Sequence, residues 1–507
     1  MVNYIVKLLN KIINSTNSLK ERGPDCSTTI FNSKGYYHFS RLAINDTTIY
    51  GNQPMRNRDV YMMCNGEIYN CNSLIEKFEL SCISHSDCEP IIKLYEKIGM
   101  VECIKNLYGV YAIVLTDGDK CFFVRDRIGV RPLYMGYTQE NYLAVGSTAA
   151  CLLPFCNQVQ QVPPGVLYCY DKSTKELKII YTDNSLLLFP IFREQTQIQS
   201  TLKELLFRSV QKRLHSDRSI GCLLSGGLDS SIITYILTQL LGPKNVRTYS
   251  IGMEGSIDLK YARQVADFLG TQHTEVLFTP EEGIKAIPRV VEILESYDIT
   301  TIRASVGMYL LSEYISKNTK DKVLFSGEGS DELLCGYLYF HNAPSVQEAN
   351  IESLRLIKNL HIYDVLRADK CISSNGLELR EPFLDIDFVN FTLTLTPEIK
   401  APCNNYEKFI LRKSFEQCLP DKVLWRRKDG FSDGVSNLIK PWYEYIQDFV
   451  FDKVTDRELM SKEQIYYLEI FKTFFPTYQL KIDMWLPKWS TNKDPSGRQL
   501  KFFDENI

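Results

Sequence analysis

The sequence predicts two folds in one chain: an α+β region built on antiparallel sheet, then an α/β region built on parallel sheet. Up to about residue 180, short β-rich runs alternate with turn signals at Gly, Asn or Asp. From about residue 201, helical stretches alternate with short apolar strands, the pattern of a parallel sheet with crossover helices. The length of 507 residues also exceeds one ordinary core, so two or three domains are expected.

The elements follow in order. Ile5, Leu8, Leu9, Ile12 and Ile13 fall at helical spacing. Lys7 and Lys11 interrupt the apolar run from residue 1 to 13, and no small-residue cleavage site follows. An amphipathic helix is therefore expected rather than a signal peptide. Strands are expected at 60–63, 112–116, 121–124 and 142–145, with a helix at 89–98. Residues 183–200 lack periodicity and are expected to be a linker between a domain at 1–182 and a second at 201–507. In the second, helices are expected at 202–214, 230–241 and 260–269, and strands at 220–224, 247–251 and 323–326. The segment beyond Asp452 is expected to pack helices against the second core.

Composition excludes several classes. Hydrophobic residues make up 44% of the chain and charged residues 23%, as in an ordinary soluble globular protein. A net charge of −3 gives no reason to expect a nucleic acid or an anionic membrane as partner. No apolar run is long enough to suggest a transmembrane helix. The 15 cysteines are odd in number, irregularly spaced and never C-x-x-C, which suits reduced thiols in a cytoplasmic enzyme. The six histidines never pair at i, i+4, so no zinc motif is read.

The strongest motif is Ser225-Gly226-Gly227-Leu228-Asp229-Ser230-Ser231. It stands between an expected apolar strand and an expected helix. The two glycines allow a sharp turn and close approach to a ligand. Loop N–H groups and the helix N-terminus suit phosphate oxygens, and the serines add hydroxyl donors. Asp229 is placed to hold the Mg²⁺ that accompanies ATP. The terminal Gly-Lys-Ser/Thr of a Walker A loop is missing. The loop resembles that of the ATP pyrophosphatases, which cleave ATP between the α and β phosphates.

Further segments extend the likeness. They are Tyr297-Asp298-Ile299-Thr300-Thr301-Ile302-Arg303-Ala304-Ser305, Phe325-Ser326-Gly327-Glu328-Gly329-Ser330-Asp331-Glu332, Leu377-Glu378-Leu379-Arg380-Glu381-Pro382-Phe383-Leu384-Asp385 and Trp425-Arg426-Arg427-Lys428. Upstream stand Asn65-Gly66-Glu67-Ile68-Tyr69-Asn70 and Arg125-Asp126-Arg127-Ile128-Gly129-Val130-Arg131-Pro132-Leu133. Together they closely resemble asparagine synthetase, from Arg22 nearly to the C-terminus. The resemblance implies an N-terminal glutaminase-like domain of stacked antiparallel sheets, of the N-terminal-nucleophile type. It implies an ATP-pyrophosphatase domain after it.

It also implies roles. Leu223 and Ile251 would contact adenine through backbone groups. Ser225, Gly226, Gly227, Ser230, Ser231, Ser326 and Gly327 would also hold ATP. Asp229 and Asp331 would bind Mg²⁺, and Thr300 and Arg303 would hold aspartate or its adenylate. Lys428 would stabilise the charge that builds up as pyrophosphate leaves. Glu328 would orient ammonia and take its proton. The implied reaction forms β-aspartyl-AMP and then asparagine, with aspartate, ATP and ammonia as substrates and a homodimer as assembly.

In the N-terminal half the resemblance implies a glutamine pocket. Arg41, with Leu42, Ala43 and Ile44, would clamp the carboxylate. Asn65 and Gly66 would form an oxyanion hole. Glu67 and Asp87 would hold the amino group. Class II glutaminases use an N-terminal cysteine as nucleophile; here residue 2 is Val2, and Cys26 lies beyond the Arg22-Gly23-Pro24-Asp25 motif. The expectation is a synthetase that uses free ammonia, with glutamine as ligand only. Two alternatives stay open: an amide-forming ligase of β-lactam-synthetase type, and a non-catalytic nitrogen sensor or scaffold.

Overall fold

The computed structural model describes residues 2–186, 189–428, 430, 434–437, 439–454, 460–480 and 482–490. A helix covers Val2–Thr16, where an amphipathic one is expected, and a 3-10 segment Asn17–Glu21 follows. The side chains of the first seven residues lie outside the described set.

The N-terminal half is antiparallel sheet. Strands β1 (Cys26–Asn32) and β2 (Gly35–Arg41) pair as a hairpin. The others, in chain order, are β3 (Met55–Asn57), β4 (Val60–Ile68), β5 (Gly109–Asp117), β6 (Lys120–Arg125), β7 (Tyr134–Tyr137), β8 (Leu143–Gly146), β9 (Asn157–Gln161), β10 (Val166–Asp171) and β11 (Glu176–Thr182). They form a sheet in the order β11-β10-β6-β5-β4-β3 and another in the order β8-β7-β9. The period-2 alternation sorts the faces. Ile113 and Leu115 of β5 and Phe122 of β6 turn to the cluster formed with helices Cys71–Phe78 and Glu89–Asn106. Ala112 and Phe123 turn the other way, onto Leu133 and Met135 beside the second sheet. The sheets are thus stacked by the same alternation that makes them strands.

The expected linker ends early. A helix runs Gln195–Lys212, taking in the last six residues of the 183–200 span. Ile198, Leu202, Leu206 and Val210 carry it, all buried at helical spacing in the C-terminal half, in one cluster with Cys222 and Phe325. The helix expected at 202–214 therefore starts seven residues sooner and ends at Lys212.

The C-terminal half holds a parallel sheet: β12 (Ser219–Leu223), β13 (Arg247–Gly252), β14 (Gln272–Leu277), β15 (Asp321–Phe325) and β16 (Glu378–Arg380), in the order β14-β13-β12-β15-β16. Both faces are covered, as parallel sheets require. Cys222, Val323 and Phe325 face one core and Tyr249, Ile251 and Leu324 the other. The chain moves outward from β12 through β13 to β14, then returns to the other side of β12 as β15. That reversal is a topological switch point, where open α/β sheets bind ligands outside the strand carboxyl ends. Helix Lys462–Phe474 adds Tyr467 and Phe471 to the cluster of Tyr249, Ile251 and Leu324.

The candidate active site and a second pocket

The phosphate-loop motif and the segment Ser326–Glu332 leave the sheet at adjacent strand ends, β12 and β15, on either side of the switch point. They pack closely. Gly226 has φ +73°, and a Cβ there would lie 2.4 Å from the Ala262 nitrogen. A Cβ at Gly327 would lie 2.7 Å from Asp229 Cβ, so only glycine lets the loops meet. The helix Leu228–Leu241 opens at Gly227, and the Ser225 and Ser230 hydroxyls lie 3.1 Å apart in the turn. The Ser231 hydroxyl instead donates to the Gly227 carbonyl at 2.7 Å, and its side chain is fully buried.

A cavity of about 220 Å³ opens here. Its lining includes Leu223, Ser225, Gly227, Asp229, Ser230, Ile251, Thr300, Ser326, Gly327, Glu328, Asp331 and Lys428, all singled out in the sequence. Gly226 and Ser231 stand behind this lining. Leu223, Ile251, Ala304, Met308 and Leu311 give one part an apolar wall.

Opposite charges gather at another part. Lys408 Nζ lies 2.6 Å from Asp229 and 2.7 Å from Asp331, with its side chain 1% exposed. Lys428 Nζ lies 2.8 Å from Asp331 and 3.9 Å from Asp229. Burial alone would raise Asp331, but the two ammonium groups hold it well below the usual carboxylate range. Burial would lower Lys428, but Asp331 and Asp229 carry it well above its ordinary value. Sequence reasoning missed Lys408, which no motif marks. Two carboxylates that converge in a phosphate-sized pocket are a donor set Mg²⁺ accepts alongside phosphate oxygens. Among the described residues no group of three His, Cys, Asp or Glu offers a metal cage of its own.

Glu328 faces the same cavity. Burial raises its carboxyl, and Arg367, 3.0 Å away, pulls it back. Arg367 is in turn fixed by Asp364 at 3.0 Å. A carboxylate with a raised pKa and a fixed orientation suits proton transfer.

Arg303 departs from expectation. It is 1% exposed, and its Nε and Nη2 donate to the Glu463 carboxylate at 2.8 and 2.6 Å. Its helix neighbours Thr300, Thr301 and Ala304 line the cavity, whereas Arg303 does not. The reason is the buried carboxylate on helix Lys462–Phe474, a fork-to-fork partner 160 residues away that no local pattern announces.

A second cavity, of about 130 Å³, lies in the N-terminal half. Arg41, Leu42, Ile44, Asn65, Gly66, Glu67 and Asp87 line it, and Ala43 stands behind, its N–H donated to Asp25 at 2.8 Å. Arg41 is held by loop oxygens of Asn45, Asp46, Thr48 and Asn52, which take both its Nη groups. Burial lowers its pKa. The Asn65 side-chain amide is buried and donates to no described residue, which leaves it free for a ligand oxygen. Glu67 accepts from Asn45 at 2.7 Å and lies 3.2 Å from Arg380 of the other half. Burial, with Asp87 and Glu378 nearby, pushes the Glu67 carboxyl well up, against the pull of Arg380. Two thiols, Cys64 and Cys88, share the lining. The hydrogen bond to Cys64, with burial, holds the Cys88 thiol well above its ordinary value.

The comparisons with known proteins agree with this division. A glutamine amidotransferase domain model matches residues 2–187, and an asparagine synthase model matches residues 201–356 and 348–493. Fold and site thus define an ATP-dependent carbon–nitrogen ligase joined to an amidotransferase domain. Curated relatives narrow the class. Glutamine-hydrolysing asparagine synthetase of Mus musculus is 42% identical over 542 residues, covering 96% of each chain. That of Homo sapiens is 41% identical over 545 residues, covering 97% of this chain and 96% of its own. That of Gallus gallus is 40% identical over 542 residues, with the same coverage. The chain belongs to the asparagine synthetase family.

Proposed function

We propose that this protein joins ammonia to the side-chain carboxylate of aspartate at the expense of ATP, and that it takes ammonia free rather than from glutamine. One observation carries the first part: the switch-point cavity holds a phosphate loop, two lysines and a half-buried carboxylate base in one space. Aspartate oxygen attacks the α-phosphorus, the bond to the β-phosphate breaks, and pyrophosphate leaves as β-aspartyl-AMP forms. The Ser225–Ser231 loop holds phosphate oxygens, and Lys428 and Lys408 offset the charge that pyrophosphate develops. Asp229 and Asp331 would hold Mg²⁺, which would neutralise phosphate charge. Leu223 and Ile251 border the adenine, and Thr300 the aspartyl group. Arg303, paired with Glu463, acts by holding the Thr300 helix in place. Ammonia then attacks the acyl carbon, Glu328 takes a proton from the nitrogen, and AMP leaves.

The second part is supported by the thiols of the N-terminal pocket. Cys64 and Cys88 sit against each other, and Cys88 is held protonated, so it is not prepared as a nucleophile. Asn65, Glu67 and Asp87 would still bind glutamine beside Arg41, whose Nη groups are committed to loop oxygens. We take residues 1–182 as the glutaminase-like domain and 201–507 as the synthetase. A homodimer and a cytoplasmic setting complete the reading, the latter supported by fifteen free cysteines. Among the described residues no helix is long and apolar enough to cross a membrane.

The test is asparagine formation from aspartate, ATP and Mg²⁺ with either ammonium chloride or glutamine, pyrophosphate being followed in parallel. Product from ammonium alone is expected. Equal product from glutamine would refute the second part. Bound ATP without pyrophosphate from either source would refute the first and favour a non-catalytic relative.

A further inference from the structure

Strand β16 joins the two pockets. The carbonyl of its last residue, Arg380, accepts the Ser326 N–H at 3.1 Å, beside the turn that carries Glu328. Its guanidinium lies 3.2 Å from Glu67 in the N-terminal pocket. The next residue is Glu381. It is 1% exposed, and neither carboxylate oxygen accepts a hydrogen bond from any described residue.

Among the charges that act on it most strongly, Arg131 and Arg213 attract it, and Asp369 and Glu328 repel it. The arginines are committed elsewhere. Arg131 donates to Asp369 at 2.9 Å and to the Leu379 carbonyl at 3.1 Å. Arg213 donates to Asp385 at 2.7 Å and lies 4.3 Å over the Tyr69 ring. Arg213 Nε and the Tyr69 hydroxyl are themselves buried and have no partner among the described residues, and the same holds for the Asn65 amide in the N-terminal pocket. Orphaned polar atoms of this kind are rare and costly unless something small and polar meets them.

The chemistry narrows what that is. The open atoms on Glu381 are two acceptors, so the ligand is a donor. Two guanidinium groups alongside disfavour a permanent cation. A cation that can hand over its proton becomes neutral there.

We propose that Glu381 is a binding and deprotonation site for ammonium between the two pockets. The carboxylate takes one proton from NH₄⁺, leaving NH₃ and a neutral carboxyl. NH₃ goes on to the acyl-adenylate beside Glu328, and the carboxyl returns its proton to solvent. Burial pushes Glu381 up to about 8, which brings its proton affinity towards that of ammonium. The inference rests on the ammonia-dependent reading above.

Glu381→Gln in the full chain tests it by three reactions. Aspartate-dependent ATP–pyrophosphate exchange needs no amine. Aspartyl hydroxamate formation uses hydroxylamine, which is neutral near neutral pH. Asparagine formation uses ammonium. Exchange and hydroxamate formation within about twofold of wild type are expected, with the KM for total ammonium raised roughly tenfold or more. In the wild type that KM levels off above about pH 8, where Glu381 is already ionised. In the variant it keeps falling about tenfold per pH unit with the free-ammonia fraction. Glu381→Asp, which keeps a carboxylate, is expected to recover part of the effect. Unchanged ammonium kinetics in Glu381→Gln would overturn the site, and so would hydroxamate formation lost in parallel with asparagine, the mark of a merely structural role. Absence of exchange in the wild type would instead defeat the underlying reading.

Discussion

Replacing Lys408 by Met removes a buried ammonium from between two carboxylates. The contacts are 2.6 Å to Asp229 and 2.7 Å to Asp331, on a side chain that is 1% exposed. At an effective dielectric near 20, each pair is worth roughly 6 kcal/mol before desolvation is counted. Most of that is offset by the cost of burying the charges, but truncation does not reverse that cost. It leaves Asp229 and Asp331 facing each other with Lys428 alone, 3.9 and 2.8 Å away. The expected loss is about 3–5 kcal/mol of stability, the usual effect of breaking a buried pair from one side. Urea unfolding followed by tryptophan fluorescence measures it. ATP–pyrophosphate exchange is expected to fall roughly 10²-fold, as when one donor to a transition-state charge is lost. Adding Asp331→Asn to Lys408→Met is expected to return part of the stability, because it removes one of the stranded charges. A single variant within about 1 kcal/mol of wild type would refute the reasoning. So would a double variant no more stable than the single one.

Glu328→Gln is expected to keep aspartate-dependent exchange while asparagine formation drops about 10²–10⁴-fold, the range for a lost general base. Since burial raises Glu328, the wild-type rate falls as pH drops through that raised value; a rate flat across the acidic side would count against Glu328 as base. Glu463→Gln removes the buried carboxylate that pairs with Arg303 at 2.6 Å. A loss of about 3–5 kcal/mol in urea unfolding is expected, with little change in the KM for aspartate. A large KM change at intact stability would return Arg303 to the substrate site. For Glu381 the linkage runs the opposite way to a salt-bridged carboxylate. Its folded value of about 8 lies above the ordinary carboxylate range, so the folded state binds the extra proton. Stability is therefore lost as pH rises from that range to about 8, and Glu381→Val is expected to melt higher than wild type above it. A gap that is the same at acidic and alkaline pH would contradict this.

The legible parts of the molecule were those written in local pattern. Strand β12, the glycine turn and the helix after it are consecutive, and their apolar-then-glycine texture marks them. The alternation in β5 and β6 likewise shows in the sequence, because one residue in two must face each core. Boundaries slipped where packing extends an element beyond its clear period, as at Gln195. What could not be read was pairing at a distance. Lys408 stands 179 residues from Asp229, and Glu463 stands 160 from Arg303. A lone Lys or Glu on a helical stretch has an ordinary surface explanation, and only the fold reveals that these are buried. The resemblance gives Arg303 to the substrate together with Thr300, but a helix turns about 100° per residue, so neighbours in one motif need not share a face.

The seam between the two halves carries a consequence for modularity. Arg131 and Arg22 of one half meet Asp369 of the other at 2.9 and 2.8 Å, and Glu67 meets Arg380 at 3.2 Å. The Asp369 side chain is 1% exposed and that of Arg380 fully buried. Cutting the chain between 183 and 194 would not yield two free-standing parts, because each fragment would present unmatched charges where it now has an interior. Each half is thus part of the other's interior, and a change at one pocket is felt as a change in the support of the other.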